Sequence, residues 1–365
     1  MSRLAAKSLV AEREAVAAGQ AAMADRASAP SATTATSASR VAVVTPGQAG
    51  GVFDYGALMA EKIGARHVPV NGDAPDQLLA ATGAFETLYL QFSGYGFHAR
   101  GVPSGLARWA RVARRRGQRL GIFFHELYAF GPPWTSAFWL NPAQRLIAAD
   151  LVRSADFWLT NRRASAEWLL AAAGPKPFAV LPTPSNVGEG EDGVRHENRE
   201  ASLVVFGSAG VRERTYRNGG DDFLAWAGHN GYRVHDVGPR LSDDDLEARL
   251  TAFGVERHGA LPSDAVSTLM AKARVGVVDY RIDYAAKSSV LGAYAAFGLT
   301  PVVYARRHAA ADGLVAGTTY LDRLVGLPGN DTRLAEIAEA ARGWYRGHDV
   351  ARHAASARHL MEAAR

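Results

Sequence analysis

The chain has 365 residues, 48% of them hydrophobic and 21% charged, which is enough for ample cores in one or two globular domains, with two expected. It contains no cysteine, so disulfide bonds, thiolate metal sites and cysteine nucleophiles are excluded. No segment approaches the roughly 18 apolar residues of a membrane-spanning helix, and no secretory hydrophobic region stands near the start. The net charge of +5 is modest for this length, so the positions of the charges matter more than their sum.

The first 40 residues differ in composition from the rest of the chain. Residues 1–24 are rich in alanine, and residues 26–40 are mostly Ser, Ala, Thr and Pro, with little to bury. We therefore expect residues 1–40 to form a disordered or weakly helical N-terminal tail. It does not resemble a transit peptide, because Glu12, Glu14 and Asp25 interrupt its positive charge.

From residue 41 onwards, strand-like apolar segments alternate with helical ones. Strands are predicted at residues 41–44, 88–90, 120–124, 157–160 and 178–181, and helices at 52–63, 140–151 and 164–173. This alternation predicts right-handed parallel units. We therefore predict a Rossmann-like domain at residues 41–185, with Pro182 and Pro184 near its end, followed by a polar linker at residues 186–200.

The same alternation starts again at residue 203. Strands are predicted at residues 203–206, 232–237, 255–259, 275–278 and 302–303, with helices at 221–227, 263–271 and after Lys287. The pattern predicts a second Rossmann-like domain at residues 201–330, and residues 331–365 read as helices that pack back towards the first domain. The expected fold class is α/β, with two facing domains built on parallel sheets.

Two segments of the second domain are candidates for binding a phosphate group. Gly207 and Ser208 follow a strand, so backbone N–H groups can approach an anion there, and Arg212 and Arg217 come next. The second segment is Lys287, Ser288 and Ser289, where a lysine precedes the N-terminus of a helix. The alternatives are an ordinary tight turn in the first case and plain capping in the second. Neither the GxGxxG nor the GxxxxGK[ST] spacing occurs, which disfavours a nicotinamide oxidoreductase and a P-loop NTPase.

Three residues of the first domain are candidates for catalysis. His125 and Glu126 follow a buried strand, at the carboxyl end where open α/β sheets bind ligands. The histidine can bind a hydroxyl or move a proton, and a carboxylate can act as a base. Asp54 follows the glycine turn and is a further candidate. The alternatives are a histidine bonded to local backbone, a solvated glutamate and a first-turn carboxylate.

The segment from Arg100 to Arg119 is strongly basic and predicts an amphipathic helix. Arg108, Arg111 and Arg115 are its candidates for contact with an anionic membrane surface. The alternatives are a solvated helix face and a nucleic-acid contact, but no nucleic-acid recognition motif accompanies the charge.

We expect no metal site. The 11 histidines are scattered and no HExxH occurs. The run of three aspartates that begins at Asp243 is explained by helix capping.

Several of these segments together resemble glycosyltransferase family 4, a group with the GT-B fold, over about residues 41–330. The segment VAVVTPGQAGGVFDY, with Gly50 and Gly51, is similar to the family's first strand, glycine turn and helix. Residues 258–261, from His258 onwards, are similar to the segment that frames the nucleotide base, and residues 291–303 to the family's helix and strand ending in Gly-x-Pro-Val-Val.

The resemblance also implies roles for individual residues. His125 matches a histidine near the transferred sugar, and Arg212 and Arg217 match the basic pair that contacts the donor diphosphate. The family's two glutamates, separated by seven residues, are replaced by Tyr284 and Gly292. Asp283, adjacent to the first position, is a candidate substitute for the sugar contact.

The resemblance implies a metal-independent, retaining glycosyltransferase of the hexosyl type. It would transfer a sugar from a nucleotide-diphosphate donor, bound by the second domain, to a glycan or lipid-linked acceptor, bound by the first domain. No cofactor is expected, and bacterial polysaccharide synthesis is the expected setting. The expected location is the cytoplasm, with contact at the inner membrane face. The alternatives are a non-catalytic sugar-nucleotide or glycan-binding module, a sugar-nucleotide epimerase, and a membrane adaptor that acts through the Arg-rich helix alone.

Overall fold

The computed structural model describes residues 40–48, 50–190 and 195–364. Residues 40–182 together with 350–364 form one compact unit, here called the first domain, and residues 183–349 form the second domain. The tail predicted for residues 1–40 lies, apart from Arg40, outside the described residues.

The first domain is built on a parallel sheet of six strands. Its strands are β1 (Val41–Pro46), β2 (Arg66–Val70), β3 (Thr87–Phe92), β4 (Arg119–Phe124), β5 (Phe157–Thr160) and β6 (Phe178–Val180). Its helices are α1 (Gly51–Ile63), α2 (Pro75–Thr82), α3 (Gly94–Phe97), α4 (Ser104–Arg115), α5 (Ser136–Ser154) and α6 (Arg163–Ala173). The strand order is β2-β1-β3-β4-β5-β6.

Residues of the C-terminal segment belong to two different domains. The helix Thr332–Arg346, which we call α12, belongs to the second domain, whereas α13 (Val350–Ala363) belongs to the first domain. Four residues of α13 are buried in a core cluster that includes Val43, Tyr55 and Phe123: Val350, Ala357, Leu360 and Met361. The segment predicted at residues 331–365 is therefore divided at residue 349.

The second domain is built on a parallel sheet of five strands. Its strands are β7 (Glu200–Phe206), β8 (Arg233–Val237), β9 (Glu256–Gly259), β10 (Ala273–Asp279) and β11 (Thr300–Tyr304). Before α12 its helices are α7 (Ala209–His229), α8 (Asp244–Ala252), α9 (Ser263–Lys272), α10 (Ile282–Ala285) and α11 (Ser289–Ala296). A short 3₁₀ helix, His196–Asn198, precedes the sheet, whose strand order is β11-β10-β7-β8-β9.

Each sheet has a point at which the direction of strand addition reverses. In the second domain the chain moves from β7 to β8 and β9, then returns to place β10 on the other side of β7. In the first domain the corresponding reversal lies between β1 and β3. Open α/β sheets bind ligands outside the carboxyl ends of the strands at such a point. The two parallel sheets confirm the predicted α/β class. Among the described residues, no helix combines the length and apolar character that crossing a membrane demands.

Candidate functional site

Two helix N-termini converge at the reversal point of the second sheet. Helix α7 begins after Gly207 and Ser208, at the carboxyl end of β7. Helix α11 begins after Ser288. A Cβ atom added at Gly207 would lie 3.4 Å from Cγ2 of Val290, in the first turn of α11, and 3.6 Å from Cγ1 of Val211, in the first turn of α7. The first N–H groups of both helices carry partial positive charge, so this arrangement favours an anion.

Tyr294 fixes α11 over the two central strands. Its hydroxyl accepts a hydrogen bond from the Phe206 N–H at 3.0 Å and lies 3.2 Å and 3.1 Å from the carbonyl oxygens of Val204 and Val277. The ring lies where a Cβ atom at Gly276 would be, 2.4 Å from that position. The buried tyrosine therefore links β7 and β10 to the helix whose N-terminus faces the reversal point.

The sequence Lys287-Ser288-Ser289 takes the predicted position at the start of α11. Ser288 is its N-cap, and its hydroxyl accepts a hydrogen bond from the Leu291 N–H at 3.2 Å. Lys287 is half-buried, and its Nζ atom lies 5.9 Å from the centre of the Tyr284 ring. A lysine ammonium thus stands immediately before the helix start.

Arg281 is a basic residue near this lysine that the sequence interpretation did not select. Its guanidinium binds the Asp283 carboxylate through two hydrogen bonds, of 3.1 Å and 2.6 Å, and lies 4.8 Å from the centre of the Tyr284 ring. Asp283 is therefore engaged by an arginine, and Tyr284 contacts two cations. Short α10 places these residues beside the lysine.

Arg212 has a structural role, which differs from the predicted contact with a diphosphate. Its side chain is fully buried on the inner face of α7. Its Nε donates to the carbonyl oxygen of Gly207 at 3.0 Å, and its two terminal nitrogens donate to Asp236 and to the carbonyl oxygen of Pro239. Because these groups are already bonded inside the domain, Arg212 shapes the glycine turn from behind.

Arg217 lies on the exposed side of α7. Its guanidinium binds the carboxylate of Asp243, the N-cap of α8, at 2.7 Å. This bond, with the Leu246 N–H bond, holds the pKa of the Asp243 carboxyl below its ordinary value. The capping role predicted for Asp243 is confirmed, whereas Arg217 is placed against α8.

His258 lies in the edge strand β9, and its ring faces another histidine. Its Nε2 atom is 3.1 Å from Nδ1 of His235 in β8. This nitrogen is directed at a protein group of the same sheet face, and the role of framing a nucleotide base stays a prediction.

Gly292 lies against the segment that enters the second domain. A Cβ atom at this position would be 2.9 Å from the carbonyl oxygen of Thr183 and 3.3 Å from backbone atoms of Pro184 and Ser185. A glutamate here would therefore displace backbone. The glycine at position 292 therefore allows the close packing of α11 on residues 183–185.

The glycine turn of the first domain lies at the carboxyl end of β1. Gly50 has φ 156° and ψ 171°, a conformation essentially restricted to glycine, and Gly51 begins α1. The Asp54 N–H donates to the Gly50 carbonyl oxygen at 2.9 Å. The Asp54 side chain is exposed, although nearby protein atoms exclude enough water to raise the pKa of its carboxyl. The turn stands beside the reversal point of this sheet.

His125 is held firmly at the carboxyl end of β4. It is buried, its Nε2 lies 3.0 Å from Oε1 of Gln91, and its backbone oxygen accepts from Asn161. The rings of Phe123 and Tyr55 pack edge-on against it, with centres 4.3 Å and 5.0 Å away. Because Tyr55 lies on α1, this contact brings the start of α1 close to His125.

Glu126 follows His125 and is exposed. The Ser93 hydroxyl at the end of β3 lies 3.4 Å from its Oε2 atom. The predicted residues of the first domain therefore belong to neighbouring strand ends, which share one edge of the sheet.

The Arg-rich helix α4 turns its apolar side towards the domain core. Leu106 and Trp109 are fully buried, and the Trp109 indole donates to Thr82. Arg111 lies 3.5 Å from the Asp150 carboxylate. Only the basic side of the helix is exposed, so its apolar side is not available to a membrane.

A different part of the first domain exposes large apolar side chains. These residues, here called the aromatic surface, are Phe130 (67% exposed), Trp134 (74%), Phe138 (44%), Trp139 (72%) and Leu146 (70%). They lie in the segment after β4 and in α5. An adjoining groove of about 580 Å³ is lined by Arg145, Arg153, Leu146 and Trp168, among others. Sequence reasoning concentrated on charge and did not identify this surface.

Comparison with solved structures shows the GT-B fold. The chain is similar to AviGT4, a glycosyltransferase involved in avilamycin A biosynthesis, with 14% identity, TM-score 0.50, and coverage of 88% of this chain and 96% of that one. It is similar to a Listeria monocytogenes protein assigned as a UDP-N-acetylglucosamine 2-epimerase, with 11% identity, TM-score 0.51 and coverage of 88% and 95%.

A further similar structure is that of the GtfA/B complex. The identity is 12%, the TM-score 0.50 and the coverage 76% of this chain, which spans only 57% of the length of its counterpart. No protein-family model and no curated protein matches the sequence. These likenesses are of fold, and the predicted GT-B class is confirmed by them.

Proposed function

We propose that the chain is a glycosyltransferase, similar to family 4, that moves a sugar from a nucleotide-diphosphate donor to a glycan or lipid-linked acceptor. The observation that carries this proposal is the convergence of the α7 and α11 N-termini at the reversal point of the second sheet, with Lys287 beside it. A diphosphate is the anion class that such a site suits, because exposed N–H groups and an ammonium offset its charge.

In this proposal Lys287 and the first N–H groups of α11 stabilise the charge that grows on the leaving diphosphate. Electrostatic stabilisation of this kind usually contributes more to rate acceleration than any other single effect. Ser289 and Ser208 stand at the two helix starts and contribute backbone N–H groups. The transfer needs no metal ion, because protein cations and helix N-termini supply the positive charge. Arg281 and Tyr284 lie beside Lys287.

The first domain supplies the groups that orient the acceptor and the transferred sugar. His125 is fixed by Gln91 and two aromatic rings, so its ring keeps one orientation at the carboxyl end of β4. Glu126 and Asp54 are exposed carboxylates at the same sheet edge and position an acceptor hydroxyl. A hexosyl donor, a retained anomeric configuration and a role in polysaccharide synthesis belong to this proposal, and product NMR reports the anomeric outcome.

A thermal-shift screen tests whether the second domain binds a nucleotide diphosphate. UDP, GDP, ADP and dTDP, with their sugars, are compared. A ligand at 100 times its dissociation constant stabilises by roughly 2.7 kcal/mol, which raises the Tm by several degrees. The Lys287→Ala variant should show little of this increase in Tm. Lys272, at the C-terminal end of α9 in the same domain, provides the control, and the Lys272→Ala variant should show the full increase. If no nucleotide raises the Tm of the wild-type chain, the proposal fails.

Two other functions have specific support. The positions of the family's two glutamates hold Tyr284 and Gly292, which favours a binding module without turnover. The likeness to a protein assigned as an epimerase favours a second enzyme class. Product analysis separates all three, because a transferase needs the acceptor, an epimerase converts the donor without one, and a binding module yields no product.

We also propose that the first domain touches an anionic membrane through the aromatic surface. Tryptophan is enriched at the membrane–water interface, and tryptophan and phenylalanine supply the apolar side of segments that lie in it. The arginines of the adjoining groove suit the lipid phosphates. This contact brings a lipid-linked acceptor to the domain, and in this proposal it takes the place of the membrane contact predicted for Arg108, Arg111 and Arg115 of α4. A cytoplasmic setting at the inner membrane face belongs to the same proposal.

A further inference from the structure

Three ligand-type atoms meet on one face of the second sheet, between β8 and the edge strand β9. Nδ1 of His235 lies 3.1 Å from Nε2 of His258 and 3.1 Å from Oε2 of Glu256, and the last two atoms are 4.0 Å apart. All three atoms lie within 4.8 Å of one another. The sequence shows no metal motif here, because the histidines are 23 residues apart.

Strand register brings the three residues together. His235 pairs directly with Glu256, and the register shifts between Asp236 and Val237, so that His258 is the extra residue of a bulge. Glu256 and His258 are two residues apart and share a sheet face. Bulges at sheet edges re-aim side chains. Here the bulge turns His258 towards His235.

On the opposite face of the same strands, side chains form a separate network of hydrogen bonds around Asp236. Asp236 accepts hydrogen bonds from Arg212, from Tyr216 at 2.9 Å and from Arg257 at 2.8 Å. The nearest basic side chain along β8 on the histidine face is Arg233, which is paired with Glu200. The positive charge next to the three-residue cluster is therefore already neutralised.

A single proton on His235 does not satisfy both of its close contacts. Nδ1 of His235 is equidistant from a histidine nitrogen and a carboxylate oxygen, and a single N–H can point at only one of them. The other contact is then left without a well-aligned hydrogen bond. A divalent cation that takes the place of the proton accepts lone pairs from all three atoms at once.

We propose that His235, Glu256 and His258 form a binding site for a divalent transition ion of the zinc class. Bonds of about 2.0–2.2 Å in a tetrahedral arrangement separate ligand atoms by roughly 3.3 Å, and two histidines with one carboxylate are a zinc ligand set with a fourth position for water. The observed separations of 3.1, 3.1 and 4.0 Å bracket this value.

The ion would join the edge strand to its neighbour. Strand β9 is held on one side only, and Gly238 N–H donates to the Gly259 carbonyl oxygen just beyond the cluster, at 2.9 Å. A bound ion would therefore steady the carboxyl ends of β8 and β9. None of the three proposed ligands belongs to the proposed diphosphate site at Lys287 and the start of α11.

Binding is measured by titrating Zn²⁺ and Co²⁺ into the full chain, freed of any histidine tag and previously treated with chelator. Calorimetry should give one site per chain, and the visible absorption of Co²⁺ should report nitrogen and oxygen ligands. His258→Ala should weaken binding by more than the roughly 10–100-fold typical of losing an outer-sphere partner. Glu256→Gln should also weaken it, whereas His229→Ala, an exposed histidine of the same domain, should not.

His235 is buried, so the His235→Ala variant can fail to fold. In that case the His258 and Glu256 variants still test the proposal, because these two side chains are partly exposed. Zn²⁺ should raise the Tm of the wild-type chain and leave that of His258→Ala unchanged. Equal affinity of the wild type and His258→Ala, or no saturable binding at all, would overturn the proposal and leave a plain hydrogen-bonded cluster. Nucleotide shifts measured on chelated protein are unaffected by either result.

Discussion

At position 292 a side chain has no room, and this has a measurable consequence. Gly292→Glu forces its Cβ to within 2.9 Å of the Thr183 carbonyl oxygen. We expect it to lower the free energy of unfolding by about 1–3 kcal/mol, as overpacking does. It should not improve nucleotide binding.

Gly343 provides the matched control for this substitution. It lies inside α12, and an added Cβ would meet no atom within 4 Å. Gly343→Ala should raise the free energy of unfolding by roughly 0.5–1 kcal/mol, because alanine loses less entropy in a helix. Urea unfolding of both variants gives the comparison. An unchanged Tm in Gly292→Glu, together with tighter nucleotide binding, would contradict the packing argument.

At the same scale, the sequence predicted the capping residues and not the partners of the arginines. Ser288 and Asp243 cap helices as expected, because capping depends on a few neighbouring residues. Arg212 and Arg217, by contrast, find acceptors on residues distant in sequence, at Asp236 and Asp243. The sequence around an arginine reveals neither whether its side chain is buried nor which carboxylate it binds. The partners of Arg212 and Arg217 could therefore be identified only from the tertiary structure.

At the scale of elements, the aromatic surface and α4 make different predictions for membrane contact. Trp134 and Trp139 are 74% and 72% exposed, and replacing both by serine should abolish binding to vesicles that contain anionic lipid. The expected loss is at least about tenfold in the partition coefficient, since both indoles leave the interface. Vesicle co-sedimentation measures it.

Two control variants accompany this measurement. Phe253→Ser removes an exposed aromatic residue of the second domain and should leave vesicle binding unchanged. Arg108→Ala with Arg115→Ala should reduce binding only at low salt, because exposed charges act through screened attraction. If the arginine pair alone abolishes binding at physiological salt, α4 is the contact and the aromatic surface is not.

Helix and strand positions were largely predictable, with informative exceptions. Strands β4 and β10 and helix α1 follow their apolar patterns closely. Helix α7 is far longer than the predicted segment 221–227, and it continues through Gly219 and Gly220. A Cβ at Gly219 would lie 2.5 Å from the Tyr304 ring, so the glycine serves close packing of β11 on the helix.

Strand β2 was not identified because Pro69 interrupts a short polar pattern. It lies at the edge of the first sheet, where a proline is tolerated because one side of the strand has no neighbour.

At the scale of the whole molecule, His196 makes folding depend on pH. Its Nε2 lies 3.1 Å from the Arg274 carbonyl oxygen and 3.0 Å from the Thr300 hydroxyl, and burial lowers its pKa to about 4. Since the unfolded value is about 6.5, the unfolded chain binds the proton first as the pH falls. This contribution to stability is therefore present above about pH 6.5 and is lost between about pH 6.5 and pH 4, by at most about 3 kcal/mol.

The measurement is urea unfolding with hydrogen exchange of β10 and β11 as the probe, at pH 7 and at pH 4.5. His196→Gln should show a smaller drop between the two pH values than the wild type. His229→Gln, at an exposed position, should behave as the wild type does. An equal drop in His196→Gln would assign the acid sensitivity to other groups.

The fold class was predictable because alternating strands and helices are a property of the whole chain. The division at residue 349 was not, because two successive helices of similar composition, α12 and α13, show no sign of belonging to different domains.

That division has a consequence for how the polypeptide matures. His353 of α13 bonds to the Tyr55 hydroxyl at 2.8 Å and lies 2.9 Å from the Pro182 carbonyl oxygen, 298 residues and 171 residues away in sequence. During synthesis on a ribosome, the first domain cannot complete its core until α13 has been made, and α13 follows the entire second domain. A nascent chain therefore carries an unfinished apolar surface around Tyr55 and Phe123 through most of its translation. We therefore expect chaperones to bind the first domain of the nascent chain, which emerges first from the ribosome.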